Sequence, residues 1–178
     1  MINITFDLET LGNTNNAPIV QIAAVMFNGE GDILSKFSRR IDLKSLEQYN
    51  FKMDYRTLSW WFNQSSEAIG SVFGEDWERV SLSQALHDFT KWLGKPSEYV
   101  YWSHATFDPP ILNNNFIQVK KENPIPFRLH RDIRTITHFT GKIEIERKGI
   151  AHDALDDCIY QAEYISKGLK QIKNYENK

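Results

Sequence analysis

The N-terminal stretch, residues 2–10, reads INITFDLET and combines an apolar strand pattern with two acidic side chains. Its segment from Ile2 to Leu8 has the length and composition of a short buried strand. Asp7 and Glu9 are separated by one residue, so the period of two along a strand points both carboxylates to the same side. Two like charges at the edge of a buried strand are costly unless something neutralises them. Carboxylate oxygens are the ligands that Mg²⁺ or Mn²⁺ prefers, so this stretch predicts a core strand that ends in a metal site.

The segments that follow predict a mixed sheet with helices. The apolar run at 19–27 and the segment at 32–41 predict two more strands, joined by the turn at Asn28–Gly31 as a hairpin. Aromatic residues at 99–103 predict a fourth strand. Helices are predicted at 57–64, from the Ser81 cap to Leu93, from Asp108 to Asn123, at 131–140 and at 153–173. This order predicts an α/β fold in which a sheet that begins with three antiparallel strands has helices on both faces.

Composition limits the class of protein. The chain has 178 residues, 41% of them hydrophobic and 25% charged, which excludes a disordered tail, a fibrous repeat and a disulfide scaffold. We expect one domain at 1–173, followed by a frayed tail at 174–178. The lone Cys158 excludes an intrachain disulfide and a Cys-rich zinc site. No apolar run is long enough for a membrane span and no export signal is recognisable, so we expect no membrane partner and a cytoplasmic location.

The charge pattern has two interpretations. A formal net charge of −2 argues against a nucleic-acid partner when the chain is taken as a whole. Residues 118–150, however, contain eight Lys and Arg against four acids, a local surplus of +4 that includes Arg131 and Arg134. This stretch is either a solvated face or the surface that holds the phosphates of a nucleic-acid strand.

Two further acidic positions follow later in the chain. Asp108 lies where the strand at 99–103 has ended and a helix begins, which is also a position for an ordinary N-cap. Residues 152–157 read HDALDD, and helical periodicity places Asp156 and Asp157 on either flank of the buried face without deciding which turns inward. Together with the pair on the first strand, these residues form a set suited to two metal ions that promote in-line phosphoryl displacement.

These motifs resemble a known family. The FDLET at 6–10, the WSHATFD at 102–108, and His152 with Asp157 five residues later are similar to the three exonuclease motifs of the DEDDh family, which includes RNase T and polymerase proofreading subunits. The TLSWWFNQ at 57–64 resembles the branch of phage exonuclease A and the mycobacterial exoribonucleases. The resemblance implies an RNase H-like mixed sheet of five strands. It also implies a 3′-5′ exonuclease that releases nucleoside monophosphates from single-stranded or 3′-overhang DNA or RNA.

The resemblance also assigns the catalytic residues. It implies that two divalent cations, Mg²⁺ or Mn²⁺, are held by Asp7, Glu9, Asp108 and Asp157. His152 would be the general base, with metal ligation or a hydrogen bond at the helix start as the alternatives. The choice of Asp157 over Asp156 rests on the resemblance alone.

Substrate contacts are expected from six further residues. Thr10 and Leu11 resemble the positions that meet the terminal nucleoside. Trp61 and Phe107 are candidates for base stacking, although both Trp60 and Trp61 also fit a core position. Arg131 and Arg134 are expected to hold phosphates.

Two other functions are compatible with these residues. An RNase H-like endonuclease would share the carboxylates, and a catalytically inactive nucleic-acid-binding module would share the fold. His152, five residues before Asp157, argues against the endonuclease, and the presence of all five residue types argues against the inactive module. Homodimerisation is implied by the resemblance alone.

Overall fold

The structure is a computed structural model that describes residues 2–176. The strands are β1 (Ile2–Thr10), β2 (Ile19–Phe27), β3 (Ile33–Ile41), β4 (Arg79–Val80), β5 (Tyr99–Ser103) and β6 (His130–Asp132). The α-helices are α1 (Tyr55–Trp61), α2 (Ser66–Phe73), α3 (Leu82–Leu93), α4 (Asp108–Gln118), α5 (Ile133–Thr140) and α6 (Ala154–Glu176). Helix α2 was not predicted. Of the predicted tail, residues 174–176 continue α6, and residues 177–178 lie outside the described range.

The strands form one mixed sheet in the order β4-β3-β2-β1-β5-β6. β1, β2 and β3 pair antiparallel, whereas β5 pairs parallel with β1 and β6 parallel with β5. The predicted fold class is confirmed. The predicted count of five strands is wrong, because the described residues form six. β4 and β6 have two and three residues, too few to show a periodic pattern in the sequence.

Alternate side chains of β1 and β2 face opposite sides of the sheet. Both faces therefore carry apolar residues, and helices cover both. Ile4, Phe6 and Leu8 pack on one face with buried residues of α3 and α4. Ala23 and Val25 pack on the other face against α5 and α6. Thr5 and Asp7 therefore face the side that α6 covers, and Gln161 of α6 hydrogen-bonds both.

Local side chains set the helix starts. Ser81 accepts a hydrogen bond from the Gln84 N–H and caps α3 as predicted. Asp54 accepts from the Arg56 N–H, so α1 begins two residues before the predicted start and ends at Trp61. Asp132 caps α5, which begins at Ile133 rather than at residue 131 because residues 130–132 belong to β6.

Helix α4 is shorter than the sequence predicts. Helix α4 ends at Gln118, five residues before the predicted end, and Lys120 beyond it has a φ of 57°.

The buried Cys158 lies within the apolar layer between α6 and the sheet. Within residues 2–176 no helix is both long enough and apolar enough to cross a membrane.

Candidate active site

A cleft of about 410 Å³ opens between the C-terminal end of β1, helix α5 and the first turns of α6. Its lining combines acidic, basic and aromatic side chains: Asp7, Glu9, His104, Ile133, Thr137, Arg147, His152, Asp157, Tyr160, Gln161 and Tyr164. Four of the five residues expected to be catalytic are in this set, and Asp108 is the exception.

The pair on β1 faces this cleft from the sheet. Asp7 and Glu9 are both buried, and the Asp7 Oδ1 accepts a hydrogen bond of 2.9 Å from the Gln161 Nε2. Gln161 in turn accepts a hydrogen bond of 2.6 Å from the Thr5 hydroxyl, which fixes its amide. Burial raises the pKa of Asp7 from 3.8 to about 6, and burial together with the neighbouring Asp7 raises the pKa of Glu9 well above its ordinary value. Burial therefore outweighs the nearby positive charge of Arg147, which lowers both pKa values by less.

Asp153 fixes the start of α6 to the sheet. Its Oδ1 accepts hydrogen bonds from the Leu155 and Asp156 N–H groups at 3.0 and 3.2 Å, as an N-cap does. Its Oδ2 pairs with the Arg40 Nη2 at 2.8 Å and accepts from the Gln21 Nε2 at 3.2 Å. These contacts, which we call the Asp153 anchor, hold the helix start against β2 and β3.

His152 immediately precedes this anchor and has an unusual backbone. Its φ is 66°, in the left-handed region that non-glycine residues rarely adopt. The imidazole packs edge-on against the Trp60 ring, with 4.7 Å between ring centroids. Burial, followed by the charge of Arg147, lowers the pKa of His152. The neutral imidazole, which is the form that accepts a proton, is thereby favoured.

The two adjacent acids of α6 have different surroundings. Asp157 lines the cleft, with 17% of its side chain exposed, and pairs with the Arg147 guanidinium. Asp156 instead accepts a hydrogen bond of 2.7 Å from the Ile150 N–H and packs against Gly149. The structure therefore brings Asp157, and not Asp156, toward the β1 carboxylates.

Three of the cleft residues lie close enough to share one ion. One ligand atom from each of Glu9, His152 and Asp157 lies within 4.8 Å of the other two. Two carboxylates and an imidazole are a donor set for a divalent metal ion. Glu9 and Asp157 are two of the four carboxylates predicted to hold metal, whereas His152 is the residue predicted to be the general base.

Asp108 lies behind the cleft rather than in its lining. It is the first residue of α4, with Phe107 in the cap position, so the N-cap interpretation is wrong. The carboxylate is 1% exposed and accepts a hydrogen bond of 2.8 Å from the His104 N–H. Burial, followed by the charge of Asp7, raises its pKa well above the ordinary value, and Asp108 in turn raises the pKa of Glu9. Asp108 thus belongs electrostatically to the same acidic group.

A second, smaller cavity of about 230 Å³ adjoins the first through Glu9. The predicted substrate residues Thr10, Trp61 and Phe107 all line it, together with Leu8, Gly12, Asn13, Thr57 and Trp60. Leu11 does not line it and packs in an apolar cluster with Val20, Trp61 and Val72.

The two adjacent tryptophans of α1 separate into a core ring and a surface ring. Trp61 is only 3% exposed and its Nε1 donates a hydrogen bond of 2.9 Å to the Thr10 carbonyl. Its ring therefore lies almost wholly in the core, although it forms part of the lining of the second cavity. Trp60 is 41% exposed and is the more accessible ring of the pair.

The two predicted phosphate-binding arginines point to different places. The Arg134 Nη1 lies 3.5 Å from the Thr106 hydroxyl and 4.0 Å from Asp132. Burial, followed by the charge of Arg134, lowers the pKa of His104 in the cleft lining. The Arg131 Nη1 donates to the Arg128 and His130 carbonyls at 2.9 and 2.8 Å. Arg131 lines a separate, mostly apolar cavity and does not reach the cleft.

Among the cleft residues that sequence reasoning missed, two contact the predicted carboxylates directly: Gln161 bonds Asp7 and Arg147 pairs with Asp157. Gln161 follows Asp157 by four positions, so helical periodicity was a usable signal that it faces the same side. Arg147 lies in the irregular segment between α5 and α6, where no periodicity indicates direction.

The family model of the 3′-5′ exoribonuclease Rv2179c-like domain matches residues 2–169. The chain belongs to this exoribonuclease family. It is 25% identical over 194 residues to an exodeoxyribonuclease of Enterobacteria phage T4, an alignment that covers 89% of this chain and 85% of the phage protein. It is thus a 3′-5′ exonuclease.

Solved structures of related nucleases share the fold of this exonuclease. The nuclease domain of 3′hExo, a DEDDh family member, bound to rAMP has a TM-score of 0.66 at 16% identity, covering 96% of this chain and 92% of that one. E. coli exonuclease I in complex with a dT13 oligonucleotide has a TM-score of 0.67 at 12% identity, covering 98% and 43%. Cell-death related nuclease 4 has a TM-score of 0.66 at 16% identity. The chain spans only 64% of that nuclease.

Proposed function

We propose that this exonuclease releases nucleoside monophosphates from the 3′ end of single-stranded DNA or RNA, or of a 3′ overhang, by a two-metal mechanism. The observation that supports it most is the convergence of Glu9, His152 and Asp157, whose ligand atoms lie within 4.8 Å of one another. The cleft that contains them joins an aromatic cavity of a size suited to one terminal nucleoside.

The carboxylates of the cleft would hold the ions. Asp7, Glu9 and Asp157 line it, and Asp108 adds negative charge from behind. The raised pKa values of Asp7 and Glu9 mark a site whose ionised form needs a cation. When bound, two Mg²⁺ or Mn²⁺ ions supply stabilisation of the attacking and leaving oxygens.

His152 would accept the proton of the attacking water. Its lowered pKa keeps the imidazole neutral at physiological pH, which is the form a general base requires. The Trp60 ring packs against one edge of the imidazole, and the Asp153 anchor fixes the backbone next to it. The ring orientation is thus set before the substrate arrives.

The second cavity would hold the terminal nucleoside. Trp60 and Phe107 offer aromatic surface, and stacking on such rings stabilises a base by about 1–3 kcal/mol without selecting its identity. Thr10 lines the same cavity, but its hydroxyl donates a hydrogen bond of 2.6 Å to the Gly12 carbonyl. Arg134, whose Nη1 lies 3.5 Å from the Thr106 hydroxyl, would meet a phosphate of the strand.

Either sugar is compatible with this proposal. The family is described as exoribonucleases, the phage relative as an exodeoxyribonuclease, and the exonuclease I structure holds a DNA oligonucleotide. An RNase H-like endonuclease would use the same carboxylates, and an inactive module would bind strands without cutting them.

A single assay separates these functions. The protein is incubated with 5′-labelled single-stranded DNA and RNA of one sequence, in Mn²⁺ and in EDTA. We expect a ladder of shortened products in Mn²⁺ alone. Internal fragments would identify an endonuclease, and binding without products would identify an inactive module.

Two adjacent variants test the assignment of the metal ligand. Asp157→Asn should abolish most activity, because its carboxylate lies in the cleft. Asp156→Asn is the matched control, since it removes the same charge one residue away and its carboxylate bonds the Ile150 N–H. The reverse result would show that the ligand has been assigned to the wrong aspartate.

A further inference from the structure

Arg147 places a positive charge among the carboxylates. It belongs to the irregular segment between α5 and α6, and its Nη2 pairs with the Asp157 Oδ1. Its Cζ lies 5.2 Å from the centroid of the Tyr160 ring, which also lines the cleft. Both contacts are with the first turns of α6, so the guanidinium has a defined position.

The charge of Arg147 acts on the whole acidic group. Arg147 lines the same cleft as Asp7, Glu9 and His152, and Asp157 is its only ion-pair partner within the described residues. Among the described residues that line the cleft, Arg147 is also the only arginine or lysine. It therefore supplies the positive charge that partly neutralises these carboxylates.

We propose that the Arg147 guanidinium is a built-in counter-ion of the metal-free site and that it leaves Asp157 when a divalent cation binds. This inference rests on the metal site of the proposed function. Ligand atoms of Glu9 and Asp157 lie within 4.8 Å of each other, so an ion between these two carboxylates is close to the guanidinium on Asp157. Two cations that share one carboxylate repel each other strongly in a partly buried site. Arg147 and the metal therefore compete.

The exchange needs only a movement of the arginine side chain. Two residues after Arg147, an added Cβ on Gly149 would lie 2.4 Å from the Asp156 Oδ2, and the Ile150 N–H donates to that same oxygen. These contacts hold the backbone of the segment against α6. The Arg147 side chain is 37% exposed, so it has solvent into which it can rotate.

The competition predicts that removing the arginine improves metal binding. We expect Arg147→Gln to bind Mn²⁺ about ten- to a hundredfold more tightly by calorimetry, which corresponds to the loss of one close repulsive charge. Its unfolding midpoint in EDTA should fall, whereas the increase in the midpoint on adding Mn²⁺ should grow. Arg147→Lys retains the charge and should bind Mn²⁺ within about threefold of the wild type.

Lys148→Gln is the matched control. It removes one positive charge from the next residue of the same segment, whose side chain is exposed. We expect its Mn²⁺ affinity to match the wild type within about twofold, because exposed charges are screened. Equal tightening in both Gln variants would show a general charge effect and overturn the proposal.

A measurement on the wild type gives an independent test that needs no variant. Phenylglyoxal modifies accessible guanidinium groups, and mass spectrometry of the peptide reports the reaction at Arg147. The rate should be severalfold higher in Mn²⁺ than in EDTA. An unchanged rate, or weaker Mn²⁺ binding by Arg147→Gln, would overturn the competition. If the wild type does not bind Mn²⁺ at all, it is the proposed function that fails.

Discussion

Replacing Asp7 by asparagine is expected to stabilise the metal-free protein. Burial raises the pKa of Asp7 from 3.8 to about 6, so the native state binds this proton more tightly than the unfolded chain does. Between these two values stability therefore falls as the pH rises, and above pH 6 the whole effect is present. The shift of about two units corresponds to about 3 kcal/mol of lost stability at pH 7.5.

Asparagine removes this cost while keeping the local hydrogen bond. Its side-chain oxygen can still accept from the Gln161 Nε2, which donates to Asp7 at 2.9 Å. For a chain of this length, 1 kcal/mol moves the unfolding midpoint by roughly 2–4 °C, so the full effect is about 6–12 °C. Asp7→Asn should therefore unfold at a higher temperature than the wild type in EDTA at pH 7.5.

Thermal unfolding followed by circular dichroism measures this difference. At pH 4 the advantage of Asp7→Asn should shrink to less than about 1 kcal/mol, because the native wild type is then protonated at Asp7. Asp76→Asn is the control, since Asp76 is exposed and should give no comparable gain. A lower midpoint for Asp7→Asn in EDTA at pH 7.5, or a gain that is the same at both pH values, would refute the argument from burial.

Two further predictions concern His152 and the two arginines that the sequence predicted to hold phosphates. His152→Ala should lower turnover by about 10²–10⁴-fold and remove the acidic limb of the pH–rate profile. If calorimetry shows that it also loses Mn²⁺ affinity in step with turnover, His152 is a ligand and not a base. Arg134→Gln should weaken strand binding and reduce the slope of log K against log salt by about one. Arg131→Gln should leave that slope unchanged, because its guanidinium bonds main-chain carbonyls away from the cleft. Equal slopes in the two variants would contradict the assignment of the phosphate contact to Arg134 rather than Arg131.

The sequence predicted those parts of the site that lie on regular elements. The period of a strand placed Asp7 and Glu9 on one side of β1, and both line the cleft. Helical periodicity left Asp156 and Asp157 equivalent, because both flank the buried stripe of α6. Their difference comes from the Ile150 N–H, which bonds Asp156. A contact from an irregular segment leaves no periodic trace in the sequence.

The choice between the two tryptophans of α1 had a similar limit. Adjacent helical positions point in different directions, so the sequence indicated that at most one of the two rings meets the substrate, but not which. The buried ring is that of Trp61, which bonds the Thr10 carbonyl and contacts Phe73. Phe73 belongs to α2, an element that was not predicted. Without the position of α2, the sequence could not show which of the two rings faces the core.

The Asp153 anchor has a consequence for how such an enzyme can diverge. Asp153 is held by Arg40 and Gln21 of the sheet, and the Trp77 ring lies 4.1 Å from the Arg40 Cζ on the other side. None of these partners belongs to the segment at 141–150. Changes at the exposed lysines of that segment, Lys142 and Lys148, can accumulate while the start of α6 keeps its place. The surface charge next to the cleft is therefore open to change without displacing the helix that carries Asp157.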